Sequence, residues 1–210
     1  MEPNDLQRFW RGQVCDGHKH FRKKIGPKKK QVLIGRFQQH ALDQIDTDAI
    51  NTTLDWGCGG GLLAKMISEF SDLILLDIAS ESLQEASDYV GEKVVQTIEF
   101  SDPDAQIPDT QSDLLVCYSV IHHFPTHEYW KKIATIWNSI AVPTMVIQTK
   151  LGATTIESPN YRSNYTNGLI LSNRDFLDPF TKKYTIKYYE EEQHNQPDIK
   201  LGFVILSLRD

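Results

Sequence analysis

Asp55 stands two residues before the first of three alternating glycines, Gly57, Gly59 and Gly61. A second acid, Asp77, follows twenty residues after Gly57. Glycines in a tight turn admit positive φ and let the backbone approach a ligand closely. An acid at that offset, at the end of the next strand, can accept both hydroxyls of a ribose. Further on, His122 and His123 are adjacent, and an imidazole can take a proton near neutral pH. The chemistry these residues suggest is the holding of a nucleoside ligand and the removal of a proton beside it.

The elements that must position these groups can be read from periodicity. Thr52–Trp56 is short, β-branched and apolar, as a buried parallel strand should be. Leu63, Met66, Ile67 and Phe70 then recur at helical spacing, predicting a helix over 62–70. The glycine turn therefore opens a helix N-terminus, whose N–H groups favour a carboxylate or phosphate. Leu73–Asp77 predicts a second strand, 81–90 a helix ended by Gly91, and 93–100 a third strand. A fourth strand over 112–120, a helix over 127–140 and a fifth strand over 143–149 continue the alternation. Such alternation implies right-handed βαβ units on a parallel sheet. Ser172 reads as the N-cap of a helix over 173–180, and 183–190 and 200–208 read as two final strands. Ahead of the core, 31–45 reads as an amphipathic helix and Gly26-Pro27 as a break.

The ligand class follows from the spacing. The dinucleotide fingerprint requires a third glycine where Leu62 stands, and a phosphate-binding P-loop requires a Lys-Ser/Thr that is missing. The remaining pattern, Asp55-x-Gly57-x-Gly59-x-Gly61 between strand and helix, resembles motif I of the class I S-adenosylmethionine-dependent methyltransferases. The resemblance spans roughly residues 50–210. It implies an α/β fold with a seven-stranded, mostly parallel sheet in the order 3-2-1-4-5-7-6, the last strand antiparallel, and helices on both faces. It also implies residues 1–48 as a helical lid or arm and 49–210 as the cofactor-binding core.

The same resemblance distributes roles. Asp55, Gly57, Cys58, Gly59, Gly61, Asp77 and Ile78 would line the S-adenosylmethionine site. Ser101 and Asp102 would reach the adenine, with Asp104 as the alternative acid. Asp-Leu-Leu-Val…Ile-His-His-Phe-Pro, over 113–125, looks like the strand-four motif of small-molecule methyltransferases. By it Tyr118 and Ser119 would pass the methionine end of the cofactor, and His123 or His122 would serve as base. Trp10, Arg11, His18 and His20 are lid candidates for the acceptor. Tyr161, Arg162 and Tyr165 lie in the long segment 151–171, a binding-loop candidate. Each of these residues also has a plainer reading: Asp77 as a helix cap, Asp102 as a turn acid, either histidine as a structural side chain, the lid residues as surface packing.

Composition narrows the alternatives. With 210 residues, the chain can bury one large α/β core. No apolar run is long enough to span a bilayer, and the N-terminus is polar, so a cytoplasmic protein is expected. Three cysteines, Cys15, Cys58 and Cys117, are too few for a disulfide framework or a zinc site, and paired histidines rarely chelate together, so no metal is expected. The net charge of −6 is uneven, with seven Lys/Arg and no acid between Lys19 and Lys30. That stretch could be a solvated arm, could help hold an anionic substrate, or could touch nucleic acid. The Pro-Pro motif of amino-directed DNA methyltransferases is missing after strand four, as is the Pro-Cys nucleophile of the cytosine-C5 enzymes. A small-molecule acceptor methylated on O or N is therefore favoured. RNA- or protein-directed methylation, or cofactor binding without catalysis, are the other readings.

Overall fold

A computed structural model describes residues 26–108, 110–157 and 168–209. The chain divides into two compact units, Met1–Val116 and Cys117–Asp210.

In the first unit, helix α1 (Pro27–His40) starts earlier than its apolar pattern suggested. Gly26 is its N-cap and Pro27 its first residue, where the fixed proline φ suits a helix and the missing N–H costs nothing. The Gly-Pro pair is thus a helix start. The helix ends at His40 and buries Phe37; a 3-10 turn, Leu42–Gln44, follows.

The sheet of this unit contains β1 (Thr52–Trp56), β2 (Asp72–Asp77), β3 (Val94–Glu99) and the start of β4 (Leu114–Tyr118). All pairings are parallel, in the order β3-β2-β1-β4. β2 and β4 are almost wholly buried, which explains their unbroken apolar runs. β3, on the sheet edge, alternates in exposure. Between β1 and β2 the helix is much shorter than expected: α2 spans only Ala64–Ile67. Turns flank it on both sides, so it offers no long helix N-terminus to an anion. α3 (Ser80–Val90) buries Leu83, Ala86 and Val90, and Gly91 ends it at φ 89°. Its N-cap is Ala79.

In the second unit, Ile121–His123 form a 3-10 turn after β4. α4 (His127–Ile140) is capped by Thr126, whose hydroxyl accepts the Tyr129 N–H at 3.1 Å. β5 (Thr144–Gly152) runs three residues past its expected end. β9 (Ile199–Leu208) pairs antiparallel with β5, and β8 (Tyr184–Gln193) antiparallel with β9. These are the expected strands 5, 7 and 6 in the expected order. Two strands exceed the expected seven: β6 (Ile156–Glu157) and β7 (Leu169–Ser172). They arise because Leu169-Ile170-Leu171, read as part of a loop, is apolar enough to pair with the extended end of β5. α5 (Asn173–Leu177) begins at the Ser172 cap, which accepts the Asp175 N–H at 3.1 Å. Trp130, Trp137, Phe176 and Phe180 form this unit's aromatic core; the Trp130 indole donates to the Asp175 carbonyl at 3.0 Å.

Candidate functional site

The glycine turn is built against the end of β2. The N–H groups of Gly57 and Cys58 both donate to the Leu76 carbonyl, at 2.7 and 3.1 Å. The Gly59 N–H donates to Asp77 Oδ2 at 2.9 Å, and the Ala79 N–H to Asp77 Oδ1 at 3.0 Å. One carboxylate thus fastens the turn after β1 to the start of α3, a role spacing alone did not reveal. The Ile78 N–H also acts on this carboxylate, and the lone-pair capacity left over is what a ligand hydroxyl would use.

Gly59 and Gly61 are needed for different reasons. At Gly61, φ is 78° and an added Cβ would lie 2.9 Å from the Ala86 Cα, so this glycine lets α3 pack. At Gly59, φ is 51° and an added Cβ would meet nothing within 4 Å. The open space lies over Gly59, as a backbone cradle for a ligand requires.

Charge accumulates beneath the turn. Asp55 and Asp77 are both buried, and the strand register puts them on the same face of β1 and β2. Burial, and then the Asp77 carboxylate, push the Asp55 carboxyl up to about 7. Burial also raises Asp77, against the backbone N–H groups that lower it. The Cys58 thiol is pushed well above its ordinary range by burial and by both acids, so it stays protonated. Such a site disfavours anions and suits a ligand carrying positive charge or hydroxyls. Ile78 is half-buried beside this carboxylate. Ser101 and Asp102 follow β3; Asp102 Oδ1 accepts the Asp104 N–H at 2.9 Å, so Asp102 holds its own turn.

At the end of β4 the chain solves a similar problem without glycine. Ser119 has φ 64°, the left-handed region. Its N–H donates to the Gln148 carbonyl at 3.1 Å and its hydroxyl to Gln148 Oε1 at 2.6 Å. Strained backbone of this kind gathers at functional sites. Tyr118 is buried, its ring centroid 6.2 Å from that of Phe203. The 3-10 turn of His122 and His123 packs on β5 and β7, and the His122 carbonyl accepts the Gly168 N–H at 2.8 Å. The two imidazoles lie 4.2 Å apart. His122 is buried with no hydrogen-bond partner at Nδ1 among the described residues. Burial first, then the charges of His123, Lys150 and His194, hold its pKa well below the ordinary value, so it is neutral at pH 7.

Three polar groups of this unit escaped the sequence reading: Gln148, Lys150 and His194. The first two are buried, and their signal was polarity at the C-terminal end of an otherwise apolar strand, where open α/β sheets bind ligands. Trp10, Arg11, His18, His20, Tyr161, Arg162 and Tyr165 lie outside the described residues. Among the described residues no cluster of three or more His, Cys, Asp or Glu could hold a metal, and no helix is long and apolar enough to cross a membrane.

Residues 54–139 match a family model described as a methyltransferase domain. Comparison with curated proteins found no matching sequence. Solved structures do match. The N-methyltransferase NodS from Bradyrhizobium japonicum, crystallised with S-adenosylhomocysteine, aligns at a TM-score of 0.70 and 12% identity, over 99% of this chain and 98% of that one. Magnesium protoporphyrin IX methyltransferase from Synechocystis, also with S-adenosylhomocysteine, aligns at 0.68 and 12% identity, over 98% and 100%. A methyltransferase from Leishmania major aligns at 0.61 and 16% identity, over 96% and 82%. At such identities the likeness carries the fold alone. Residues 54–139 match the model of a methyltransferase domain, and the chain shares the Rossmann-like α/β fold of these methyltransferase structures.

Proposed function

We propose that this protein transfers the methyl group of S-adenosylmethionine to an oxygen or nitrogen of a small-molecule acceptor. The observation that carries the reading is the turn from Gly57 to Gly61, fastened by Asp77 and open over Gly59. Two neighbours in fold support the acceptor class: one is an N-methyltransferase, and another acts on magnesium protoporphyrin IX.

When bound, the cofactor supplies a methyl on a sulfonium, which needs only a nucleophile held in line. In this reading Asp77 offers its remaining lone pairs to the ribose hydroxyls. Gly57, Cys58, Gly59 and Gly61 give bare backbone to the amino-acid end, and Asp55 lies beneath them as compensating charge. Ile78, Ser101 and Asp102 take the adenine side, and Tyr118 and Ser119 the methionine side. An oxygen acceptor needs its proton removed, and a neutral His122 has a lone pair to receive it; His123 is the other candidate. An amine acceptor needs only to arrive unprotonated. Residues 1–48 serve as the lid.

Calorimetry with S-adenosylhomocysteine tests the first half of the proposal, and micromolar binding is expected. A labelled-methyl screen over small-molecule pools tests the second. Failure to bind S-adenosylhomocysteine would overturn the cofactor site. Transfer to RNA alone, with strong salt dependence, would overturn the acceptor class. If His122→Ala and His123→Ala both leave kcat unchanged, neither is the base.

A further inference from the structure

The sheet of the second unit ends on a long strand. β8 has ten residues and pairs with β9; no other described strand pairs with it. The Arg209 N–H donates to the Lys183 carbonyl and the Leu208 N–H to that of Pro143. Odd-numbered residues of β9 therefore face β8, among them the partners of Tyr188, Glu190 and Glu192. Tyr189, Glu191 and Gln193 alternate with these and turn their backbone N–H and C=O groups outward. An edge of this length is a template for another strand.

The side chains select which strand. The register slips at Lys187, so Ile186 and Tyr189 fall opposite Leu206 and Val204, on one face. They are 51% and 37% exposed. Along the chain Lys182, Lys183 and Lys187 are followed by Glu190, Glu191 and Glu192. Such a segment complements itself only when reversed. Beside a parallel copy each glutamate would meet a glutamate, and like charges opposite one another destabilise. Turned antiparallel about Tyr189, a second copy sets its Lys187 at the register position of Glu191, and the two-fold symmetry repeats the pair. Glu191 already pairs with Lys200 of β9, so lysine, glutamate and lysine would follow one another across three strands.

We propose that β8 is a self-association edge: a second copy of this chain adds its own β8 antiparallel, centred on Tyr189, and the two sheets become one. The inference goes beyond the proposed reaction and does not depend on it.

The test uses the full chain. Sedimentation velocity from micromolar concentrations upward should show monomer giving way to dimer, less so at high salt. Amide hydrogen exchange at Tyr189, Glu191 and Gln193 should be roughly tenfold slower in the dimer than in the dilute protein. Lys187→Glu sets glutamate against glutamate and should weaken dimerisation by about tenfold or more, while Lys187→Arg should keep it. Tyr189→Pro removes an outward N–H and leaves the ladder to β9 in place, so it should give a monomer. Circular dichroism checks the fold; if Tyr189→Pro does not fold, the two Lys187 variants and the exchange data decide. A monomer at every concentration would overturn the proposal. So would a dimer undiminished by Lys187→Glu, or one in which those three amides exchange as fast as in the dilute protein, because the contact would then lie elsewhere.

Discussion

The ends of β1 and β4 meet the same demand by opposite means. After β1, the backbone turns through glycines at positive φ, and a carboxylate, Asp77, ties the turn down. After β4, a serine takes positive φ, and a neutral amide, Gln148, ties it down. Buried acids surround the first turn; His122 and Lys150 give the second unit its buried bases. Local sequence wrote the first as a run of glycines; the tie that holds the second joins residues 29 apart, Ser119 and Gln148, which the local motif over 113–125 does not show.

The largest expected effect breaks the acidic side of this comparison. Asp55 has a native pKa of about 7 against an ordinary value of 3.8. The native state therefore binds more protons than the unfolded chain between those values, and its stability falls as pH rises through that window. Above pH 7 the loss is complete, on the order of 4 kcal/mol. Asp55→Asn removes this pH dependence. Urea denaturation from pH 4 to 8 should show the variant gaining on the wild type as pH rises, then levelling above 7. A constant difference across the range would show that Asp55 ionises normally.

Next in size is the cradle itself. Gly59→Val puts a branched side chain at φ 51°, into the open space over the turn. Affinity for S-adenosylhomocysteine should fall at least a hundredfold (roughly 3 kcal/mol) with the far-UV dichroism unchanged. Unchanged affinity would mean that the ligand does not approach this backbone. Asp77→Ala should weaken binding about tenfold or more, and it also frees the Gly59 and Ala79 N–H groups, so its melting temperature should drop as well. A lower melting temperature with unaltered affinity would make Asp77 a staple and nothing else.

The contrast also explains what could be read in advance. β1, β2 and β4 each carry a short apolar run and α4 a helical period over contiguous residues, and the structure reproduces their type and nearly their bounds. Asp77 was legible because the strand before it ends in a single acid. The helix after the glycine turn was overread: of Leu63, Met66, Ile67 and Phe70 only Ile67 is buried, the other three are half-buried, and only four residues hold α-helical geometry. Burial there comes from turns as well as helix, which periodicity cannot separate. β6 and β7 were missed because a two-residue strand has no period, and β7 pairs only with segments that fold beside it. Gln148 and Lys150 were missed because polarity in a buried strand acquires meaning only from register, here with Phe203 and Leu201.

The smallest effect sharpens the comparison at Ser119. Glycine relieves the left-handed backbone, worth about 1 kcal/mol, but surrenders the hydroxyl that Gln148 accepts, worth about the same. Ser119→Gly should therefore leave stability within about 1 kcal/mol of the wild type. Ser119→Ala surrenders the hydroxyl and keeps the strain, so it should fall below the glycine variant by about 1 kcal/mol. Both leave Gln148 Oε1 without its donor. If the alanine variant is as stable as the glycine one, the turn after β4 stores no strain, and the parallel with the glycine turn after β1 is one of position alone.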